Sequence, residues 1–125
     1  MTRQELTEHI FDTYSVEPDH PFPGDGESAV FRHSGSRKWF ALVMDIPYRT
    51  LGIPREGRTD ILNIKCDPIL IGSLRGKPGF CPAYHMNKDK WITILLDGSA
   101  ERSEIEALLA MSWRLTDRQR TGKEK

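Results

Sequence analysis

The sequence predicts an α+β domain: a mostly antiparallel sheet with helices packed on one face, in the order α-β-β-β-α-β-α. Three observations lead there. Apolar residues recur at helical spacing near both ends of the chain. The β-rich runs between them are joined by turns and short helices, not by crossovers of helix length. The one clearly alternating run, Asp60 to Cys66, leads into an Asp-Pro helix start.

Each element has a local cause. Thr2 and Glu5 have capping-box spacing, and Leu6, Ile10 and Tyr14 follow on one face, which predicts an amphipathic first helix. Residues 17–27 hold three prolines and two glycines and read as a connection. Ala29 to His33 and Lys38 to Met44 flank Ser34-Gly35-Ser36-Arg37 as a hairpin. A second loop, from Ile46 to about Thr59, carries Pro47, Gly52, Pro54 and Gly57. In the next strand Leu62, Ile64 and Cys66 share one face, while Ile61, Asn63 and Lys65 share the other, with Lys65 on the wetter side. Asp67 as N-cap and Pro68 at the first helical position predict a short helix over 67–75 with Leu70, Ile71 and Leu74 as its stripe; Gly76 and Pro78 stop it. Residues 79–90 read as a loop, and Trp91 to Leu96 as a central strand covered on one face. A closing helix starts at Ser103 with Glu106, or at Ser99, and buries Ile105, Leu108, Leu109 and Ser112. Thr116 to Lys125 is polar and expected to fray, giving one domain over 1–116 and a tail over 117–125.

At 125 residues the chain suits a single domain with a core of its own, without staples. Its two cysteines, Cys66 and Cys81, read as reduced thiols in apolar surroundings. Acids appear at once after Met1, which does not suit a signal peptide, and the longest apolar run, Trp39 to Met44, is far short of the ~20 residues that span a bilayer. The expectation is a cytoplasmic chain that avoids membranes; the sequence leaves its oligomeric state open, with a monomer favoured.

Several chemistries fail on spacing. Gly72 to Lys77 imitates a phosphate loop but closes a helix, and Pro78 stands where Ser or Thr is needed. His9, His20, His33 and His85 fall on four different elements with no metal-ligand spacing. No serine sits in a nucleophile elbow, and Glu101, Glu104 and Glu106 suit the positive end of a helix. No enzyme, cofactor or metal is expected.

Eighteen bases balance eighteen acids, which excludes a globally basic nucleic-acid binder, but the charge is segregated. Residues 1–30 carry one base and seven acids; residues 31–90 carry eleven bases and five acids. Phe31, Trp39, Phe40, Phe80, Tyr84 and Trp91 interleave those bases. Cations for phosphates and rings for exposed bases suit a nucleic-acid surface. Equally, the charges are solvated loops and the rings are core.

The stretch Pro82-Ala-Tyr-His85-Met-Asn87-Lys88-Asp-Lys90-Trp91, running into an apolar strand, resembles the His-x-Asn-Lys-x-x-Trp signature of the MmcQ/YjbR family. Val30-Phe31 to Lys38-Trp39-Phe40-Ala41, Leu62 to Pro68, and Ile105 to Trp113 are similar to further family segments in the same order, over about residues 20–116. The 46–59 loop looks longer than the family pattern. The resemblance implies a CyaY-like fold, a double-wing DNA-binding surface and no assigned enzymatic activity. The candidate nucleic-acid contacts are Arg37, Lys38, Lys65, Lys77, His85, Asn87, Lys88, Lys90 and Trp91. Read on their own chemistry, Asn87 holds a turn or meets a partner, His85 donates to a phosphate or to a carbonyl, and Trp91 is core or stacking platform. Lys65 contacts phosphate or guards a strand edge. The alternatives to DNA binding are a protein- or peptide-interaction domain using a concave sheet face, and a small-molecule site near His85 and Lys65.

Overall fold

The computed structural model describes residues 1–22, 24 and 27–117. The expected tail from residue 118 onward, and Pro23, Asp25 and Gly26 of the first connection, lie outside the described residues. The elements are α1 (Arg3–Tyr14), β1 (Ala29–Arg32), β2 (Trp39–Pro47), a 3-10 turn (Tyr48–Leu51), β3 (Arg58–Lys65), α2 (Pro68–Arg75), β4 (Phe80–Pro82), β5 (Trp91–Leu95) and α3 (Arg102–Thr116). All five strands pair antiparallel in the order β1-β2-β3-β5-β4. The predicted class holds.

The expected element order lacks one member. Phe80–Pro82, read as loop, pairs with β5 as an edge strand. It is too short to show alternation, and it depends on Gly79, whose φ of +87° turns the chain close against Ala100.

Local capping chemistry explains two helix starts. The Thr2 hydroxyl accepts from the Glu5 amide while the Glu5 carboxylate accepts from the Thr2 amide. Asp67 accepts from the Ile69 amide, with Pro68 opening α2. The third start differs from the expectation: α3 has Glu101 at its N-cap, with no side-chain capping hydrogen bond. Ser99 instead donates to Asp97, and the Glu106 carboxylate is taken by Arg102 Nε at 2.8 Å. Thr116, assigned to the fraying end, is the buried last residue of α3.

Buried side chains from all three helices meet one sheet face: Leu6 and Ile10 from α1, Ile71 and Leu74 from α2, and Ile105 and Leu109 from α3. They pack on Phe31, Phe40, Ala41, Val43, Leu62, Ile64, Ile92 and Ile94. Leu70, expected in the α2 stripe, is 40% exposed, because Ile71 and Leu74 alone face inward. A β-bulge lets β2 bury two consecutive residues: Phe31 pairs with Ala41 but Arg32 pairs with Trp39, so Phe40 and Ala41 both join the helix-side core.

The second face is not wet, contrary to the expectation for Ile61, Asn63 and Lys65. Ile61 and Asn63 are fully buried and Lys65 is half-buried. The long loop after β2 folds back over it: Tyr48 packs with Ile46, Ile61 and Leu95, and its hydroxyl donates to Asp97 at 2.7 Å. The Arg55 guanidinium lies 4.5 Å from the Tyr48 ring centroid. β5 is accordingly covered on both faces rather than one. The β1 edge is shielded by Asp19, which exchanges two backbone hydrogen bonds with Val30 and binds Arg32 at 2.7 Å.

His33, at the end of β1, is buried beside Phe40 and Trp113, its Nε2 2.8 Å from the Thr116 hydroxyl. Burial pushes the imidazole pKa below its ordinary value near 6.5. The unfolded chain therefore binds the proton more readily, so stability is full above about pH 6.5 and falls as the pH drops through and below it. The urea midpoint is expected to be lower at pH 5.5 than at 7.5, and His33→Phe is expected to flatten that difference. An equal slope in both proteins would exclude His33 as the cause.

Candidate functional site

Antiparallel register brings three bases to one end of the sheet. Ala41 pairs with Ile64 and Ile64 with Ile92, so the start of β2, the end of β3 and the start of β5 lie side by side. Lys38, Lys65 and Lys90 therefore stand at the same end of three neighbouring strands. Lys65 pairs with Trp91, and the Lys90 carbonyl accepts from the Cys66 amide at 2.8 Å. Lys65 and Lys90 line one depression of about 190 Å³. Lys38, Lys88 and Lys90 are exposed and, among the described residues, make no ion pair.

Most other bases of the 31–90 segment are neutralised internally. Arg32 and Arg37 both reach Asp19, and the hydrogen bond from Arg32 holds that carboxyl below its ordinary range. Arg49 binds Glu56 and Arg58 binds Asp45. Lys77 pairs with Glu104 just before β4, at the opposite end of the sheet from Lys65 and Lys90. It does not join the other candidates. Arg37 remains exposed beside Lys38, in the left-handed region at φ +66°.

The loop between β4 and β5 carries the remaining candidates. Asn87 is its turn former: its side-chain oxygen accepts from the Asp89 amide at 2.8 Å, and its carbonyl accepts from the Lys90 and Trp91 amides. His85 is exposed, held at φ +59°, with its ring stacked on Tyr84 at 3.9 Å between centroids. A non-glycine residue in that region needs support from its surroundings. Trp91 is half-buried and lies outside both core clusters.

That support comes from a buried polar pair which the sequence reading left without a role. Asn63 and Thr93 face each other across β3 and β5, both fully buried. Asn63 Nδ2 donates to the Tyr84 carbonyl at 3.0 Å, the Tyr84 amide donates to the Thr93 hydroxyl at 2.9 Å, and that hydroxyl donates to Asn63 Oδ1. The clue was available: Asn63 interrupts the apolar run Ile61 to Ile64, and Thr93 is the one polar residue of β5. Asn63→Ala leaves the Tyr84 carbonyl and the Thr93 hydroxyl short of a partner, at an expected cost of about 2–3 kcal/mol. Hydrogen exchange at the Tyr84 amide should accelerate more than at β2 amides; uniform acceleration would mean that Asn63 does not act on the loop.

Between this loop and the start of β2 lies a cleft of about 350 Å³, lined by Phe22, Trp39, Leu42, Met44, His85 and Met86. Phe22 meets Trp39 edge-on at 86°, and the Arg32 guanidinium lies 5.6 Å from the indole centroid. His85 also borders a shallower depression of about 290 Å³, shared with Lys88. No group of three or more His, Cys, Asp or Glu suited to a metal ion occurs among the described residues. Cys66 and Cys81 are free thiols, and burial raises the pKa of both. No described helix is long and apolar enough to cross a membrane.

The family model described as YjbR matches residues 11–115. A Bacillus subtilis (strain 168) protein described as uncharacterized, YyaQ, is 35% identical over 116 residues, spanning 93% of this chain and 98% of that protein. A Pseudomonas syringae crystal structure is 47% identical, with a TM-score of 0.90 over 93% of this chain and 99% of that one. A Deinococcus radiodurans crystal structure with a DUF419 family domain is 26% identical, with a TM-score of 0.68 over 91% of this chain and 77% of that one. Through a match covering the whole sheet, the cationic end and the loop between β4 and β5, this chain belongs to the YjbR family.

Proposed function

We propose that this chain is a cytoplasmic DNA-binding module, not an enzyme, that grips phosphates with little sequence preference. One observation carries the reading: Lys38, Lys88 and Lys90, which make no ion pair among the described residues, gather at one end of the sheet and its adjoining loop. Lys38, Lys88 and Lys90 supply exposed cations there, with Lys65 and Arg37 beside them. Phosphate contacts of this kind position a protein without reading bases. The small-molecule alternative draws on the neighbouring cleft. The interaction-domain alternative keeps only part of a concave sheet face, since the loop after β2 covers Ile61 and Leu95 while Leu42 and Met44 still line the cleft.

Four or so phosphate contacts give an expected log–log salt slope of about −4 on duplex DNA, from ~0.9 per contact. Lys88→Ala with Lys90→Ala should lower the slope by about two without unfolding the domain. The matched control is Arg49→Ala with Lys77→Ala, which removes the same charge at the opposite end. Anisotropy titrations over a salt series decide it. Absence of wild-type binding at low salt, or equal effects of the two pairs, would sink the proposal.

A further inference from the structure

The cleft beside the cationic end has the form of a receptor for a flat, apolar group with charge on both sides. Its walls are Phe22, Trp39, Leu42, Met44 and Met86, and its volume of about 350 Å³ lies toward the small end of ligand pockets. Phe22 and Trp39 form an aromatic corner, and Arg32, itself anchored on Asp19, lies against the indole. The cleft is thus held in shape before any ligand arrives. The strained His85 stands at the opposite wall, fixed by its stack on Tyr84 and by the hydrogen bonds of Tyr84 to Asn63 and Thr93.

The surrounding charge selects the occupant. Lys38 immediately precedes Trp39 on one side, and Lys88 borders the depression that shares His85 on the other. Both are exposed and without an ion pair among the described residues. A free apolar molecule would leave these cations unused. A nucleotide within a strand presents a planar base between two phosphates, and it matches the pattern of cation, aromatic cleft and cation. A base paired and stacked in a duplex is not available to enter.

We infer that the cleft takes one unstacked nucleobase of single-stranded DNA, laid against Trp39, with the flanking phosphates on Lys38 and Lys88. This rests on the DNA-binding reading above and sharpens it: the preferred form is a single strand. Base–aromatic stacking tolerates any base, consistent with little sequence preference.

The test compares a labelled oligothymidylate, an abasic strand of equal length and phosphate number, and a duplex of that length, by anisotropy at one low salt concentration. The wild-type protein is expected to bind the oligothymidylate about ten-fold more tightly than the abasic strand, and more tightly than the duplex. Trp39→Ala should abolish the preference over the abasic strand while leaving affinity for the abasic strand unchanged. Met86→Gln, which places an uncharged polar side chain in the cleft outside both core clusters, should weaken the preference without changing affinity for the abasic strand, if Trp39→Ala fails to fold. Equal wild-type affinity for the two single strands, or a preference that survives the cleft variants, overturns the base-binding inference and leaves phosphate binding standing. Absence of binding to all three probes removes both.

Discussion

Gly79→Ala is expected to destabilise the domain by about 3 kcal/mol or more. Gly79 sits at φ +87°, where an L side chain alone costs roughly 1–2 kcal/mol. A Cβ there would also lie 2.8 Å from the Ala100 amide nitrogen, a backbone atom that cannot swing aside. Nor can the Gly79 peptide rotate freely, because its carbonyl accepts from the Leu95 amide at 2.8 Å and so extends the β4–β5 ladder. Gly98→Ala separates the two effects. Its φ is +92°, yet nothing lies within 4 Å of the added carbon, so only the conformational cost of about 1–2 kcal/mol applies. Urea unfolding of both variants checks this. Equal losses would show that the approach to Ala100 relaxes at no cost.

Ser112→Ala is the second large effect, about 3 kcal/mol. The bulge at Phe40 interrupts the β1–β2 ladder, and the β2–β3 pairing stops at Ile64, one residue before Lys65. The buried Ser112 hydroxyl serves both breaks, donating to the Phe40 carbonyl at 2.6 Å and accepting from the Lys65 amide at 2.9 Å. Alanine leaves both backbone groups unsatisfied at ~1–3 kcal/mol each, partly offset by relaxation. Ser73→Ala, on the exposed side of α2, removes a hydroxyl bonded only to the Leu70 carbonyl and should change stability by less than ~0.5 kcal/mol. A Ser112 loss as small as the Ser73 loss would mean that water or backbone movement replaces the hydroxyl.

Where a sequence signal is local, it could be read. Thr2 with Glu5, and Asp67 with Pro68, act within one helical turn, and their chemistry is complete in a few residues. Phe80–Pro82 could not be read, because its strand character comes from β5 and from the tight turn at Gly79. Alternation in Asp60 to Cys66 correctly grouped Ile61, Asn63 and Lys65 on one face. It carried no information on what covers that face, since Tyr48 and Tyr84 arrive from loops distant in sequence. The same division runs through the site. Lys38, Lys65 and Lys90 were visible as separate bases, but their common position is a product of register. Lys77 looked the same in sequence and is set apart by Glu104 at the opposite end.

The covered edges of the sheet also bear on how copies of this protein meet. On β1 the outward hydrogen-bonding groups of Val30 are already taken by Asp19, whose carboxylate additionally clamps Arg32. The other edge, β4, is three residues long and ends in a proline that has no amide hydrogen to offer. Neither edge gives an incoming strand a run of free backbone to pair with, so the fold resists edge-to-edge aggregation and strand exchange. A partner strand therefore finds no place in this sheet, and recognition at the sheet itself falls to side chains.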